Sequence, residues 1–242
     1  GDRYQALLRK IREQGLAGEA VDREGYLRRL DGLVYGEDPR EGYFRQETFY
    51  HPGLGFRMQV PRGFRTQNTK QAVLGASPDG DAVVQLTLAR EATPEEAARA
   101  FLAANRLAGS GGRRTEVNGL PAAVVGFEGV SDQVRLRGVA AFVRHDERTF
   151  RLLGYAAAAD WARLGGALAD SVSSFAPLRE RWALEAEPRR LAIVSPERDM
   201  TLPEFSARYP STVNDSTVAL LNRLEPGETL KAGRLAKRVV GG

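Results

Sequence analysis

The sequence predicts an α+β protein in which helices cover an antiparallel sheet, followed by a small strand-helix-helix-strand unit. Apolar and polar residues alternate over 56–60 and 82–89, as they do in half-buried strands. Thr93 and Pro94 predict a helix start, because threonine caps helix N-termini and proline suits the first helical position. Asn118–Gly119 has the residue types of a two-residue hairpin turn. Hairpins between neighbouring strands, with helices after them, favour this class.

Residues 1–45 predict two short amphipathic helices. The first carries apolar residues at helical spacing from Tyr4 to Ile11, and the second runs over 22–33. Two short helices joined by glycines cannot form a core alone, so their apolar sides need a partner. Six residues form this predicted docking surface: Tyr4, Leu7, Leu8, Ile11, Tyr26 and Leu30. Another protein domain, a second copy in a homodimer, or the middle of this chain could cover it.

Residues 46–176 predict the main α+β domain. The glycine-rich stretch 109–114 predicts a loop, and the Asn118–Gly119 turn leads into a strand over 122–128. Residues 145–148 predict a second hairpin turn between strands over 133–144 and 149–156. The domain should close with a helix whose apolar side carries five residues: Trp161, Leu164, Leu168, Val172 and Phe175.

The remaining residues predict a connection and a third unit. Residues 177–189 are charged and lack periodicity, as expected of a linker or a short connecting helix. Residues 190–242 then predict a strand, two helices and a strand, which together form the small βααβ domain. Its predicted elements cover 191–194, 201–209, 216–222 and 235–240.

The composition narrows the classes of function. The 242 residues include no cysteine, which excludes disulfides and thiolate metal sites. The net charge is +4, and the basic residues are spread evenly along the chain. Because surfaces that bind nucleic acid concentrate their positive charge, nucleic acid is not an expected partner. No apolar run is long enough for a membrane span, so the chain is not expected to be transmembrane.

The chain lacks the familiar catalytic motifs. Its two histidines, His51 and His145, belong to no His-Glu-x-x-His helix and lie in predicted surface turns. The sequence contains no Gly-x-Ser-x-Gly nucleophile elbow and no phosphate-binding loop. We therefore expect no catalytic residue, no metal ligand and no cofactor in this chain.

The C-terminal residues resemble LysM modules. The stretch from Arg198 to Leu202, with Phe205 and Arg208-Tyr209, resembles their Gly-Asp-Thr-Leu, helix, Arg-Tyr opening, and 220–233 resembles their second half. The resemblance implies a shallow groove for glycans that contain N-acetylglucosamine, such as peptidoglycan. It places six residues at that groove: Asp199, Thr201, Leu202, Asn222, Leu230 and Gly233. Because Arg198 replaces a glycine and Met200 is inserted, purely structural roles for these residues are the alternative.

Two earlier segments resemble other families. Residues 50–64, with the run Gly-Phe-x-x-x-Val-Pro-x-Gly-Phe, resemble PsbP-like domains. Residues 26–42 resemble the segment that trails the catalytic domain in HtpX/BepA-like metallopeptidases (metallopeptidase family 48). In those proteins a Phe-Tyr-x-Pro-x-x-Gly-Phe domain and a LysM-like tail follow, which is the order of segments here.

Taken together, the resemblances imply a non-catalytic accessory region of a bacterial zinc metallopeptidase, located in the periplasm or outside the cell. Its expected partners are the upstream catalytic domain of the same polypeptide, which would hold the zinc, and peptidoglycan or envelope proteins. The alternative is a stand-alone glycan-binding module without a protease partner. A His-Glu-x-x-His motif upstream in the same polypeptide would distinguish the two.

Overall fold

The computed structural model of this chain describes residues 23–242. Four residues of the predicted docking surface, Tyr4, Leu7, Leu8 and Ile11, lie outside the described residues. The described residues divide into two compact units, one formed by Pro39–Ala186 and the other, the C-terminal unit, by residues 23–38 together with Glu187–Gly242.

The first described element is helix α1 (Arg23–Arg29), which is shorter than the helix predicted over 22–33. Leu27 is its buried residue, with 7% of its surface exposed, whereas Tyr26 is 57% exposed. Leu30 follows the helix and is half-buried. The helix therefore buries Leu27, whereas the neighbouring Tyr26 remains on the surface.

The unit formed by Pro39–Ala186 contains two antiparallel sheets and three α-helices. Its elements are β1 (Tyr43–Arg45), β2 (Thr48–His51), β3 (Phe56–Gln59), β4 (Arg65–Asn68), β5 (Val73–Ala76), β6 (Ala82–Leu88), α2 (Pro94–Ala104), β7 (Ala108–Val117), β8 (Leu120–Ser131), β9 (Val134–His145), β10 (Arg148–Ala157), α3 (Trp161–Val172), β11 (Ala176–Pro177) and α4 (Arg181–Leu184). The larger sheet has the strand order β4-β5-β6-β10-β9-β8-β7, and the smaller has β1-β2-β3-β11. The predicted α+β class with an antiparallel sheet is confirmed.

Both faces of the larger sheet contribute buried residues. On one face α3 and the small sheet enclose a core that includes Phe56 and Leu152. On the other face α2 packs its Phe101 into a second cluster with Leu153. Because successive side chains of a strand point to opposite faces, neighbouring Leu152 and Leu153 enter different cores.

The two predicted hairpin turns are present. Val117 pairs with Leu120 across the Asn118–Gly119 turn, and His145 pairs with Arg148 across Asp146–Glu147. All four turn residues have positive φ angles, between 44° and 80°. Two-residue hairpin turns of this type need positive φ, and asparagine and glycine adopt it at the lowest cost.

The predicted loop over 109–114 is wrong, because these residues belong to strand β7. The strand pairs with β8 and contains a register shift between Gly111 and Arg114. Gly111 has a φ of 99°, and a Cβ at this position would lie 2.5 Å from the carbonyl oxygen of Val124. The glycines therefore form a bulge in an edge strand, where their lack of side chains hides the usual alternation.

Residues 176–186, which fall mostly in the predicted linker over 177–189, are packed into the first unit. β11 pairs with β3, and the amide of Leu178 donates to the carbonyl oxygen of Gly55 at 2.8 Å. Within α4, Ala183 is completely buried. The unit therefore extends ten residues beyond the predicted domain end at 176.

The C-terminal residues contain β12 (Arg190–Val194), α5 (Leu202–Arg208), α6 (Asp215–Asn222) and β13 (Ala236–Val240). β12 and β13 pair antiparallel from Arg190↔Val240 to Val194↔Ala236. The predicted strand-helix-helix-strand order is therefore present. Five buried residues form the small core of this unit: Met200, Phe205, Val218, Leu230 and Ala236.

The segment after α1 belongs to the same unit. The amide of Gly32 donates to the carbonyl oxygen of Leu191, and the amide of Leu191 donates to that of Leu33, both at 2.8 Å. The side chain of Asp31 accepts a hydrogen bond from the amide of Ile193 at 2.9 Å. Residues 31–35 thus run beside β12 and add to the edge of its sheet.

Candidate functional site

Two loops of the C-terminal unit meet at the start of α5. One is the β12–α5 loop (residues 195–201) and the other is the α6–β13 loop (residues 223–235). Met200 and Leu230 exchange both backbone hydrogen bonds, at 2.9 and 2.8 Å, and the side chains of both are buried. This bridge fixes the distance between the loops, because both residues also belong to the core.

Asp199 fastens the same two loops from the surface. Its carboxylate accepts hydrogen bonds from Nζ of Lys231 at 2.8 Å and from the amide of Ala232 at 2.9 Å. Nearby, the amide of Gly233 donates to the carbonyl oxygen of Pro196 at 2.8 Å. The hydrogen bond from Lys231, and then that from Ala232, lowers the pKa of Asp199. Asp199 therefore stays ionised and holds the α6–β13 loop in place.

The start of α5 is organised around Glu204. Its carboxylate accepts hydrogen bonds from the amide of Thr201 at 2.8 Å and from the Thr201 hydroxyl at 2.9 Å. Arg198 donates from Nη2 to the same carboxylate at 3.0 Å. The Thr201 amide is the largest cause of the lowered pKa of Glu204. Thr201 and Arg198 thus both contribute to fixing the helix start.

A cleft of about 540 Å³ opens beside this junction. It is lined by residues 222–224, 227–231 and 234–236, which span the end of α6, the α6–β13 loop and the start of β13. The cleft combines apolar side chains such as Leu224 and Leu235 with polar ones such as Thr229. Its lining includes Leu230, which the bridge to Met200 holds in position.

The structure separates the predicted glycan-contact residues into two groups. Asn222 and Leu230 line the cleft, and Gly233 lies in the loop that borders it. Asp199, Thr201 and Leu202 lie at the helix start, with Asp199 joined to the cleft through Lys231. The Asn222 side chain is already occupied, because its amide group forms hydrogen bonds with the backbone of Val218 and Lys237. The sequence prediction missed Arg223 and Arg234, which also line the cleft.

The two histidines lie in the other unit and are less exposed than predicted. Nδ1 of His51 accepts a hydrogen bond from the amide of Leu54 at 3.1 Å, and burial lowers the pKa of its ring. Nε2 of His145 lies 3.1 Å from the carbonyl oxygen of Gly55, and its ring packs against Phe150 and Phe175. The prediction of two surface histidines is therefore wrong, since both pack beside the aromatic core.

Two features are absent from residues 23–242. Among these residues no group of three or more histidine, aspartate and glutamate side chains is arranged so that it could hold a metal ion. No helix in this part of the chain is long and apolar enough to cross a membrane.

Comparisons with known proteins show structural likeness only. No protein-family model matches the chain, and no curated protein matches it. The chain is similar to cyanobacterial PsbP from Synechocystis, with 13% identity, a TM-score of 0.42, and coverage of 53% of this chain and 89% of that one. The chain is also similar to LpqN of Mycobacterium tuberculosis, a protein involved in cell envelope biogenesis. The identity is 14%, the TM-score is 0.36, and the match covers 51% of this chain and 83% of LpqN. A protein from Bacteroides thetaiotaomicron has 12% identity and a TM-score of 0.42, and the match covers 82% of this chain and 87% of that one.

Proposed function

We propose that this chain is an extracytoplasmic binding region whose C-terminal unit holds an N-acetylated glycan, such as peptidoglycan, in the cleft beside the α6–β13 loop. The observation that carries the proposal is the junction at Met200 and Leu230. It joins the start of α5 to the α6–β13 loop, so the first of the two segments that resemble the LysM groove is held beside the cleft that the second one lines.

The lining of the cleft suits an N-acetyl sugar. Leu224 and Leu235 offer apolar surface for an acetyl methyl group, and Thr229 offers a hydroxyl that can donate or accept. Sites for small ligands commonly combine apolar walls with a few fixed polar groups. Because Asp199 and Met200 hold the loop from two sides, the site needs little ordering when the glycan binds.

The proposal includes an accessory role beside a bacterial zinc metallopeptidase. Its support is the order of the three resembling segments in the sequence. In this arrangement the upstream catalytic domain of the same polypeptide supplies the zinc ligands and the peptide-bond hydrolysis. Tyr26 and Leu30 then belong to the surface that faces the catalytic domain.

The accessory role is tested on the purified chain and on its natural polypeptide. The chain by itself should retain no zinc after dialysis and should not hydrolyse casein, and the full polypeptide should carry a His-Glu-x-x-His motif upstream. Hydrolysis of casein by the isolated chain, abolished by a chelator, would overturn the assignment of this chain as non-catalytic.

The glycan site is tested by filling the cleft. In Thr229→Trp an indole ring occupies the space where the sugar is expected, so binding of chitotetraose measured by calorimetry should weaken at least about tenfold. Leu220→Trp is the matched control, since Leu220 lies outside the cleft lining and 78% of its surface is exposed. Amide spectra establish that both variants fold. Unchanged binding by folded Thr229→Trp, or no binding by the wild type at millimolar chitotetraose, would overturn the proposal.

A further inference from the structure

We infer that the cleft selects glycans that carry a carboxylate over neutral glycans, and that Arg223 and Arg234 are the residues that make this selection. The inference rests on the proposed function, because it names the class of glycan that the same cleft binds. Its basis is the set of charges at the cleft.

Four charged side chains line the cleft: Arg223, Glu228, Lys231 and Arg234. Lys231 is already paired, because its ammonium group donates to Asp199 at 2.8 Å. Glu228 brings one negative charge against three positive ones, and its carboxylate accepts a hydrogen bond from the amide of Glu225 at 2.9 Å. Within residues 23–242, neither Arg223 nor Arg234 has an acidic side chain within ion-pair distance. Two exposed arginines therefore line the cleft with no acidic side chain of residues 23–242 within ion-pair distance.

The backbone at Arg223 supports a role for its side chain. Arg223 ends α6 in the left-handed conformation, with φ 55° and ψ 42°. Glycine or asparagine usually occupies this position, because a larger side chain adopts the left-handed conformation at a cost. An arginine at a strained helix end beside a cleft favours a binding role for its side chain.

The chemistry of guanidinium groups indicates which ligand fits. A guanidinium group presents several N–H donors in one plane and binds a carboxylate through two parallel hydrogen bonds. A neutral glycan, by contrast, leaves both positive charges without a counter-charge. A saccharide bearing carboxylates, such as one that alternates N-acetylglucosamine and N-acetylmuramic acid, supplies that counter-charge within the same ligand.

The experiment compares two tetrasaccharides of equal length on the full chain by calorimetry. One is neutral chitotetraose, and the other alternates N-acetylglucosamine with N-acetylmuramic acid and so carries two carboxylates. We expect the acidic tetrasaccharide to bind about tenfold more tightly, as two solvent-accessible ion pairs allow. The preference should shrink as salt is raised, since exposed ion pairs are screened.

Variants then assign the preference to the two arginines. Arg223→Gln/Arg234→Gln should bind both tetrasaccharides with the affinity that the wild type has for chitotetraose. Arg179→Gln is the charge control, because it removes one positive charge from an exposed position in the other unit. This control should leave the preference unchanged.

The outcomes separate this inference from the proposed function. If chitotetraose binds and the wild type shows no preference, or if the double variant keeps the preference, the inference is wrong while the glycan site stands. If chitotetraose does not bind at millimolar concentration, the proposed function is wrong, and the inference, which rests on it, fails with it.

Discussion

The small core behind the cleft yields a quantitative prediction for Phe205→Ala. Phe205 is completely buried among Met200, Val218 and Leu230, and its ring packs against Tyr209 with 5.2 Å between centroids. Truncating a buried phenylalanine to alanine removes apolar contacts and leaves a cavity, which typically costs about 3–5 kcal/mol. Whole domains are stable by only about 5–15 kcal/mol, so the variant should lose at least about a fifth of the free energy of unfolding of this unit.

The assay must report on the C-terminal unit alone. Both tryptophans, Trp161 and Trp182, lie in the other unit, so their fluorescence does not report on Phe205. Amide resonances of Val218 and Ala236, followed during urea unfolding, give the free energy directly. Leu220→Ala is the control at an exposed position, and it should change stability by less than about 0.5 kcal/mol. A loss below about 1 kcal/mol for Phe205→Ala, or an equal loss for the control, would refute the assigned core.

Three further predictions concern pH, backbone strain and capping. Burial lowers the pKa of His51 below 6.5, so near this pH the unfolded chain binds more protons than the folded one. The unit of 39–186 should therefore lose stability as the pH falls through 6.5. His51→Asn, whose side chain can still accept from Leu54, should remove that part of the pH dependence in fluorescence-monitored urea titrations. Gly111→Ala should destabilise the same unit by at least about 1 kcal/mol in that assay, because a Cβ there meets Val124; an unchanged midpoint would contradict the bulge. Thr201→Ala removes the hydroxyl that bonds to Glu204 and should cost the C-terminal unit about 1 kcal/mol in amide-monitored unfolding; no loss would show that the Thr201 side chain is not a cap.

Much of the fold follows from local sequence signals. The turns at Asn118–Gly119 and 145–148 were predictable because they join strands of matching length through residues suited to positive φ. Thr93 accepts a hydrogen bond from the amide of Glu96 at 3.3 Å, as its sequence position before Pro94 predicts. These features depend on a few neighbouring residues, so no tertiary information is needed.

The features that sequence alone misses depend on distant partners. Strand β7 is a strand because β8 lies beside it, and its glycines carry no side chains whose alternation would reveal this. β11 has only two residues and is defined by its pairing with β3. Similarly, residues 31–35 join the C-terminal unit through backbone hydrogen bonds to β12, which leave no pattern in the side chains.

The details of the candidate site depend on tertiary structure. Leu230 lines the cleft and Gly233 lies in the loop beside it, and their contact with a glycan stays a prediction. The clamp between Asp199 and Ala232, however, joins residues 33 apart in the chain and depends on the path of the loop. Arg223 and Arg234 carry no sequence signal, since one exposed arginine resembles another until the cleft is known.

The most direct test of the glycan-binding proposal is a titration of the isotopically labelled chain with chitotetraose, followed by amide chemical shifts. The proposal predicts saturable shifts within residues 196–202 and 222–236, the two segments joined by the bridge between Met200 and Leu230. The absence of shifts at millimolar ligand, or saturable shifts confined to residues 39–186, would contradict it.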